Sequence, residues 1–470
     1  MRRALRIASI AVGVLVLLAA AAAGILYWQA RSILDELQAG AKGAEVRAAA
    51  PELAKAPHDP VVAPSVEQAH GAQTFLLIGS DHRWTGQNGA RSDTVILLRI
   101  DANRHRVALL SIPRDLYVAI DGYGHDRINE AYHHGGARLL IRTVREQLGV
   151  KIDHFVEVNF AGFRELVRKL GGVWLPVDQR YFNRNLGTVA TNYASIDLRP
   201  GYQLLDGDEA LAFARYRHDD SDLYRAARQQ LFLRETIRQV LAARYHPLEL
   251  RDLARTFARA TASDLRSLSQ VWWIYRAVRG VSPGRFVRLT LPTSDEVIFG
   301  ADYLASTRTQ ERSALARWDG AVRARPRARV VTARPRPRPQ AVQLVPDGGA
   351  ARALLRGQAA IRRCVPTALP PGYMWPQAAA RSYALAGHPA IALYATAGSG
   401  RSVLWMWTTW SGPPALDSPS AHVGRFDVWS DSGRIRQIAW RVGPTRAWIT
   451  NTLRNELSSA QMLALARSCR

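Results

Sequence analysis

Residues Ile7 to Ala30 form an uncharged, mostly apolar run of 24 residues, introduced by Arg2, Arg3 and Arg6. At about 1.5 Å of rise per residue, such a helix crosses a bilayer with length to spare for tilt. Tyr27 and Trp28 stand at its far end, where amphipathic rings favour the interface, and the arginines hold the N-terminus in the cytoplasm. Ala19 to Ala23 would suit a signal-peptide cleavage site. However, the apolar run continues through Ile25, Leu26 and Tyr27 and exceeds an ordinary signal core. We therefore expect an uncleaved single-pass anchor, with the rest of the chain outside the cytoplasm.

That topology limits what the charge can mean. The formal net charge is +24, and the basic residues are nearly all arginine: the four lysines are Lys42, Lys55, Lys151 and Lys169. Such a balance reflects either codon bias or work against polyanions. Because the chain is exported, nucleic acid is not expected as the polyanion. The length of 470 residues fits two or three domains, and 47% apolar content excludes global disorder. Two cysteines exclude a disulfide-dense scaffold and a four-thiolate zinc module.

Residues 31–72 carry Pro51, Pro57, Pro60 and Pro64 and read as a juxtamembrane stalk after the tail and anchor of residues 1–30. Regular structure is expected from Thr74. Phe75 to Ile78 reads as a strand, and Thr94 to Ile100 and Arg106 to Ile112 read as neighbouring strands across a short turn. Helical periods follow at Ala137–Leu148, Phe160–Leu170, Asp208–Arg215 and Asp222–Ala243, with further strands at Phe155–Val158 and Val173–Val177. The mixture predicts one layered α/β domain over residues 73–300. Residues 301–340 form a linker in which arginine mostly alternates with proline and alanine from Arg323 to Pro339, a pattern suited to extended polyproline II.

Residues 341–470 hold seven of the 13 tryptophans and read as a small α+β accessory domain. Most of those tryptophans are expected in its core, although exposed ones could stack on sugars. Cys364 and Cys469 bracket most of it and are expected to pair in an oxidising exterior.

Chemistry concentrates at the ends of the α/β elements. Asp81 follows the first strand, Arg91-Ser-Asp93-Thr leads into the second, and Ser111-Ile-Pro-Arg114-Asp leaves the third. Arg127-Ile-Asn-Glu-Ala opens the first helix of the domain. Arg215-Tyr-Arg217 closes a later one, and Asp222 precedes Arg225, Arg228 and Gln229, which share a helix face. Several arginines together repel unless an anion lies among them. Guanidinium forks beside two or three carboxylates suit a diphosphate with Mg²⁺. The chain lacks a P-loop, a nucleophile elbow and an H-E-x-x-H zinc motif, which argues against common ATPases, serine hydrolases and zincins.

In these motifs the chain resembles the LytR-CpsA-Psr family of cell-wall phosphotransferases. The residues carrying the resemblance are Phe75-Leu-Leu-Ile-Gly-Ser-Asp81, Arg91-Ser-Asp-Thr94, Ser111-Ile-Pro-Arg-Asp115 and Arg127-Ile-Asn-Glu-Ala131. Leu205-Asp-Gly207, Ala210-Leu211, Arg215-Tyr-Arg217 and Arg225 to Gln230 continue it in order, over about residues 73 to 245. The resemblance implies a layered α/β/α catalytic domain with a mixed sheet and a lipid-filled pocket. It also implies transfer of a phospho-glycopolymer from a polyprenyl-pyrophosphate carrier to peptidoglycan. By position, Asp81 and Asp93 would hold Mg²⁺. Arg91, Arg114, Arg127, Arg215, Arg217, Arg225, Arg228 and Gln229 would bind substrate, and Asp93, Arg114 and Asp222 would act in catalysis. The family often has lysine where Arg127 stands, and the tryptophan-rich domain lies outside the match. A non-catalytic binder of the lipid-linked polymer, or a hydrolase of its pyrophosphate, would use the same residues. A membrane-bound transcriptional attenuator would need an intracellular DNA-binding region, and only about six residues precede the anchor.

Overall fold

The computed structural model describes residues 40–58, 71–81, 90–187, 195–216, 222–243, 247–265, 268–279, 281, 285–298, 300–320, 342–398, 400–410, 412, 419–431 and 433–470. The expected anchor and the arginine–proline stretch 323–339 lie outside these residues. Among the described residues no helix is long and apolar enough to cross a membrane.

The first half is built on a six-stranded mixed sheet. Its strands are β1 (Ala72–Ser80), β2 (Ser92–Asp101), β3 (Arg106–Ile112), then β6 (His154–Asn159), β11 (Thr261–Ser263) and β12 (Phe286–Thr290), in the order β11-β6-β1-β2-β3-β12. β1–β2, β2–β3 and β6–β11 are antiparallel, while β1–β6 and β3–β12 are parallel. Small two-stranded ribbons decorate it: β4 (Tyr117–Ile120) with β5 (Gly124–Arg127), β7 (Val173–Val177) with β10 (Gly201–Leu205), and β8 (Tyr181–Asn183) with β9 (Ile196–Leu198). β13 (Ser294–Ile298) pairs with β14 (Ala301–Ala305).

Alternation along the strands feeds two cores, as the period of two requires. Leu76 and Ile78 point to the layer of α1 (Gly40–Ala49), α2 (Ile128–Leu148) and α8 (Arg308–Asp319), where Val46, Leu140, Val144, Leu315 and Trp318 are buried. Phe75, Ile96 and Leu109 point to the opposite layer, against Leu233 and Ile237 of α5 (Asp222–Ala242) and Ile274 of α7 (Leu268–Arg279). The expected α/β/α layering is thus present. Two boundaries move. Within the expected stalk, residues 40–58 fold onto the domain, with Val46 and Ala49 buried and Arg145 donating to Glu52 at 2.9 Å. Residues 301–320, expected as linker, supply β14 and α8, because Ala314, Leu315 and Trp318 give that polar segment one apolar stripe.

α3 (Phe160–Lys169), α4 (Gly207–Arg215) and α6 (Pro247–Ala260) complete this half beside α5. Asp206 caps α4, accepting from the amides of Asp208 and Glu209, while Glu209 accepts from the Asp206 amide. A side chain at Gly207 would come within 2.7 Å of the Arg164 carbonyl, so α3 and α4 approach closely there.

The second half opens with β15 (Val345–Pro346), α9 (Gly348–Leu355) and β16 (Ala368–Leu369). An antiparallel sheet of seven strands follows: β17 (Ala380–Leu385), β18 (His388–Thr396), β19 (Ser402–Thr408), β20 (Ala421–Val423), β21 (Phe426–Asp431), β22 (Arg434–Val442) and β23 (Thr445–Thr450). α10 (Ser459–Ser468) closes it, and Cys469 is bonded to Cys364. This half is mostly strand rather than balanced α+β. Trp405, Trp407, Trp429, Trp440 and Trp448 are buried in its core, which removes them as sugar-stacking platforms.

Candidate active site

The strand ends that carried the charged motifs converge. At the end of β1, the register with β2 shifts between Gly79 and Ser80, and Asp81 lies opposite Arg91. The Asp81 amide donates to the Arg91 carbonyl at 3.2 Å, and the Arg91 amide donates to Asp81 Oδ1 at 2.7 Å. A side chain at Gly79 would meet Thr94 Cβ at 2.9 Å, so glycine lets the two strands close just before the site. Asp93 follows within two positions of Arg91. The two carboxylates therefore sit at the same edge of adjacent strands.

Arg114 emerges after Pro113 at the end of β3 and donates to Asp93 Oδ1 at 2.6 Å. Its turn is docked on α2: the Asn129 amide donates to the Arg114 carbonyl and the Ile128 amide to the Leu116 carbonyl. Asp115 bridges Arg114 at 3.6 Å and Arg127 at 3.7 Å. Arg91 pairs with Glu130 in the first turn of α2 at 3.0 Å. Arg215, at the end of α4, lies 4.2 Å over the ring of Phe160. Burial lowers its pKa from the usual guanidinium value, while Asp93 and Asp81 act the other way.

Beneath the site, Glu157 of β6 is fully buried and accepts from Ser80 Oγ at 2.8 Å and from the Tyr132 hydroxyl. Burial pushes its pKa up to about 7, against the hydrogen bonds from Tyr132 and Ser80.

The remaining expected residues divide. Arg127 is turned toward the β13–β14 hairpin, donating to the Asp302 carbonyl at 2.9 Å and lying 4.9 Å from the Tyr303 ring. Gln229 reaches the Ala214 carbonyl at 3.4 Å, and Arg225 is buried on α5. Arg228 departs from expectation. It is fully buried and donates to the carbonyls of Phe213 and Tyr216. It organises the chain that closes α4, next to Arg215, rather than presenting a guanidinium to a substrate. Arg217 and the side chain of Asp222 lie outside the described residues.

Sequence reasoning assigned no role to Glu130, Asp115 and Phe160, which hold the arginines in place. It also missed Asp302 and Tyr303. The first three stand beside the charged motifs and were recoverable, but nothing local marks the hairpin residues. Of the apolar residues between Phe155 and Leu170, Phe155 and Val167 are core. Leu170 instead lines a groove of about 290 Å³ with Val173, Trp174, Leu204 and Val240.

Guanidiniums grouped in this way can receive an anion. Arg114 meets Asp93 directly, and the described residues contain no group of three or more His, Cys, Asp and Glu side chains placed to hold a metal by themselves. Two carboxylates suit an ion that completes its shell with phosphate oxygens and water, as Mg²⁺ does.

The LytR_cpsA_psr family model matches residues 38–317. The chain is 38% identical over 161 residues to the polyisoprenyl-teichoic acid–peptidoglycan teichoic acid transferase TagT of Bacillus subtilis, a match covering 33% of this chain and 49% of that protein. It is 32% identical over 162 residues to the regulatory protein MsrR of Staphylococcus aureus, covering 34% and 46%. The chain thus spans about half the length of these curated relatives. Superposed on the crystal structure of B. subtilis TagT, it covers 57% of this chain and 98% of that one, at 26% identity and a TM-score of 0.45.

Proposed function

The chain belongs to the LytR_cpsA_psr family, and we propose that it transfers a phospho-glycopolymer from a polyprenyl-pyrophosphate carrier to peptidoglycan in cell-wall assembly. The observation that carries this reading is the Asp81, Asp93 and Arg114 constellation at converging strand ends, with Arg215 at the end of α4 coupled electrostatically to both aspartates. It supplies cationic forks for a pyrophosphate and carboxylates for its counter-ion. The name of the TagT relative, a teichoic acid transferase, supports the same reaction class.

Asp81 and Asp93 would hold Mg²⁺, which when bound neutralises phosphoryl oxygens and polarises the phosphorus. The protein's own groups do the rest. Arg114 and Arg215 bind and orient the pyrophosphate, and Arg91 flanks it. The primary hydroxyl of a muramic acid residue attacks the sugar-side phosphorus. A new P–O bond forms, the bridging P–O bond breaks, and polyprenyl phosphate leaves with the electron pair. Guanidiniums facing the phosphoryl oxygens stabilise the charge that gathers there in the transition state. Asp93 accepts from Arg114 at 2.6 Å. Asp93 or Asp222, the latter at the start of the helix that carries Arg225, takes the hydroxyl proton. In this reading the run Ile7–Ala30 anchors the enzyme beside its lipid-linked donor.

The test is transfer itself. Full-length protein in detergent is supplied with a short polyprenyl-pyrophosphoryl sugar, peptidoglycan oligomers and Mg²⁺, and linked product is read by mass spectrometry. Product from the wild type, lost in Asp93→Ala and dependent on Mg²⁺, is expected. Free sugar phosphate without linkage would instead identify a pyrophosphate hydrolase. Donor binding without turnover would identify a binder.

A further inference from the structure

The strand-rich second half meets the first turn of α5, the helix whose Gln230 touches the end of β3. Gln230 of α5 is buried and donates to Ser111 Oγ at 2.8 Å and to the Leu289 carbonyl at 2.6 Å, so α5 crosses the sheet near the end of β3. The N-terminal turns of α5 therefore project toward the strand ends that carry Asp93 and Arg114.

Tyr224, in the first turn of α5, is met there by the second half. Its hydroxyl lies 3.5 Å from Glu456 Oε1, and the Arg454 guanidinium lies 5.8 Å from its ring. Gln179 holds the adjoining loop, accepting from the Gly400 amide at 3.3 Å and from Ser402 Oγ at 3.2 Å.

Around Glu456 the charge does not balance. Arg401 Nε lies 3.3 Å from one carboxylate oxygen and Arg454 3.8 Å from the other. Arg434 donates to the Asn455 and Glu456 carbonyls at 3.1 Å. All three arginines are exposed, and the single carboxylate is partly buried. Across residues 341–470 there are 14 arginines and no lysine, against five acidic residues. One of the five, Asp431, is buried in other pairs. Exposed ion pairs of this kind add little to stability, so the excess cations are available to a ligand. Guanidiniums at the rim of a phosphate-handling site suit an anion repeated along a chain.

We propose that Arg401, Arg434 and Arg454 form a second anion-binding rim that holds phosphodiester-bearing repeat units of the donor polymer beyond its pyrophosphate. The identity of that polymer as a substrate rests on the transferase reading; the existence of the rim does not. The rim would make the second half a selector for polymeric over single-sugar donors.

The experiment uses the full-length chain in detergent. Binding of a fluorescent poly(glycerol phosphate) oligomer is measured against a neutral dextran of equal length, for the wild type and for Arg401→Gln/Arg454→Gln. We expect binding of the polyphosphate only, weakened about tenfold or more in the double variant and reduced by salt. Glu456→Gln, which removes the competing carboxylate, should tighten it. In transfer assays the double variant should raise KM about tenfold for a polymeric donor and leave kcat and KM for a single-sugar donor unchanged. Equal polyphosphate binding by wild type and double variant, with matching melting curves, overturns the rim. Loss of binding in the double variant, with no transfer by the wild type from any donor, retains the rim and removes the transferase reading instead.

Discussion

At the mouth of the site, the side chains of Arg91, Arg127 and Arg114 are 58, 35 and 22% exposed and face a few partly exposed carboxylates. Further along α5, where the two halves of the molecule meet, Arg234 and Arg288 are 7 and 8% exposed and close on Asp431, which is 4% exposed. Arg288 donates to Asp431 at 2.6 Å, and Glu235 accepts from Arg234 at 2.6 Å and from Arg238 at 2.7 Å. The two clusters share a residue type and differ in water. A dry guanidinium needs a carboxylate beside it or the fold pays heavily in desolvation. A wet one can stay under-neutralised, and the anion it lacks can be a substrate. Arginine-rich composition therefore encodes two different roles, and burial separates them.

The contrast is most exposed to failure at Asp431. Asp431→Ala leaves Arg234 and Arg288 buried without that carboxylate, and should lower stability by about 3–5 kcal/mol in urea unfolding. A wild-type unfolding midpoint would mean that the interface tolerates bare cations, and the comparison would collapse.

The mirror experiment is Arg114→Ala. Transfer should fall by about 10² to 10³, as for other lost transition-state donors, with the unfolding midpoint shifting far less than in Asp431→Ala. Destabilisation as large as that of Asp431→Ala would show that the mouth, too, is structural.

A smaller effect sharpens the role of burial through two glutamates. Burial pushes Glu235 up, but Arg238, Arg234 and Arg436 more than offset it and bring it to about 2. Its contribution is present above the ordinary value of 4.5 and is lost as pH falls toward 2. Glu157 accepts from the hydroxyls of Ser80 and Tyr132, and burial raises it to about 7. The folded state then keeps a proton that the unfolded chain has released, so stability falls as pH rises from 4.5 to 7. In denaturation across pH, Glu157→Gln should flatten the neutral limb and leave the acid limb unchanged. A neutral limb as steep as the wild type's would assign that dependence to another group.

Much of the first half was readable from local pattern. Thr94 to Ile100 and Arg106 to Ile112 are β-branched and apolar runs joined by a short polar turn, and they pair as the expected neighbours, antiparallel. The charged motifs stood at strand ends because glycine and proline punctuate them, as at Gly79 and Pro113. Segments stabilised by distant partners were not readable. Residues 308–319 carry only a thin apolar stripe, and what makes them a helix of the core is the pocket under Trp318, whose indole donates to the Ala108 carbonyl at 3.2 Å. The second strand of the hairpin that receives Arg127 looked like linker, and its residues are mostly half-buried.

Arg225 and Arg228 show the same limit within one turn of helix. Spacing places both near one face, but it carries no information about depth. Arg228 reaches carbonyls that only the packing of α4 against α5 brings within range.

The sequence alone determined the order of strands and helices around β1 to β3, the positions of acid and base along them, and two cysteines able to pair. These follow from local periodicity, backbone preference and charge, which act over a few residues. The tertiary structure decided which arginines face water and which are sealed against carboxylates, and that the tryptophan-rich half rests beside the first turn of α5. Those outcomes depend on dielectric surroundings created by segments far apart in the chain, such as Arg234 and Asp431, and no local pattern carries that information.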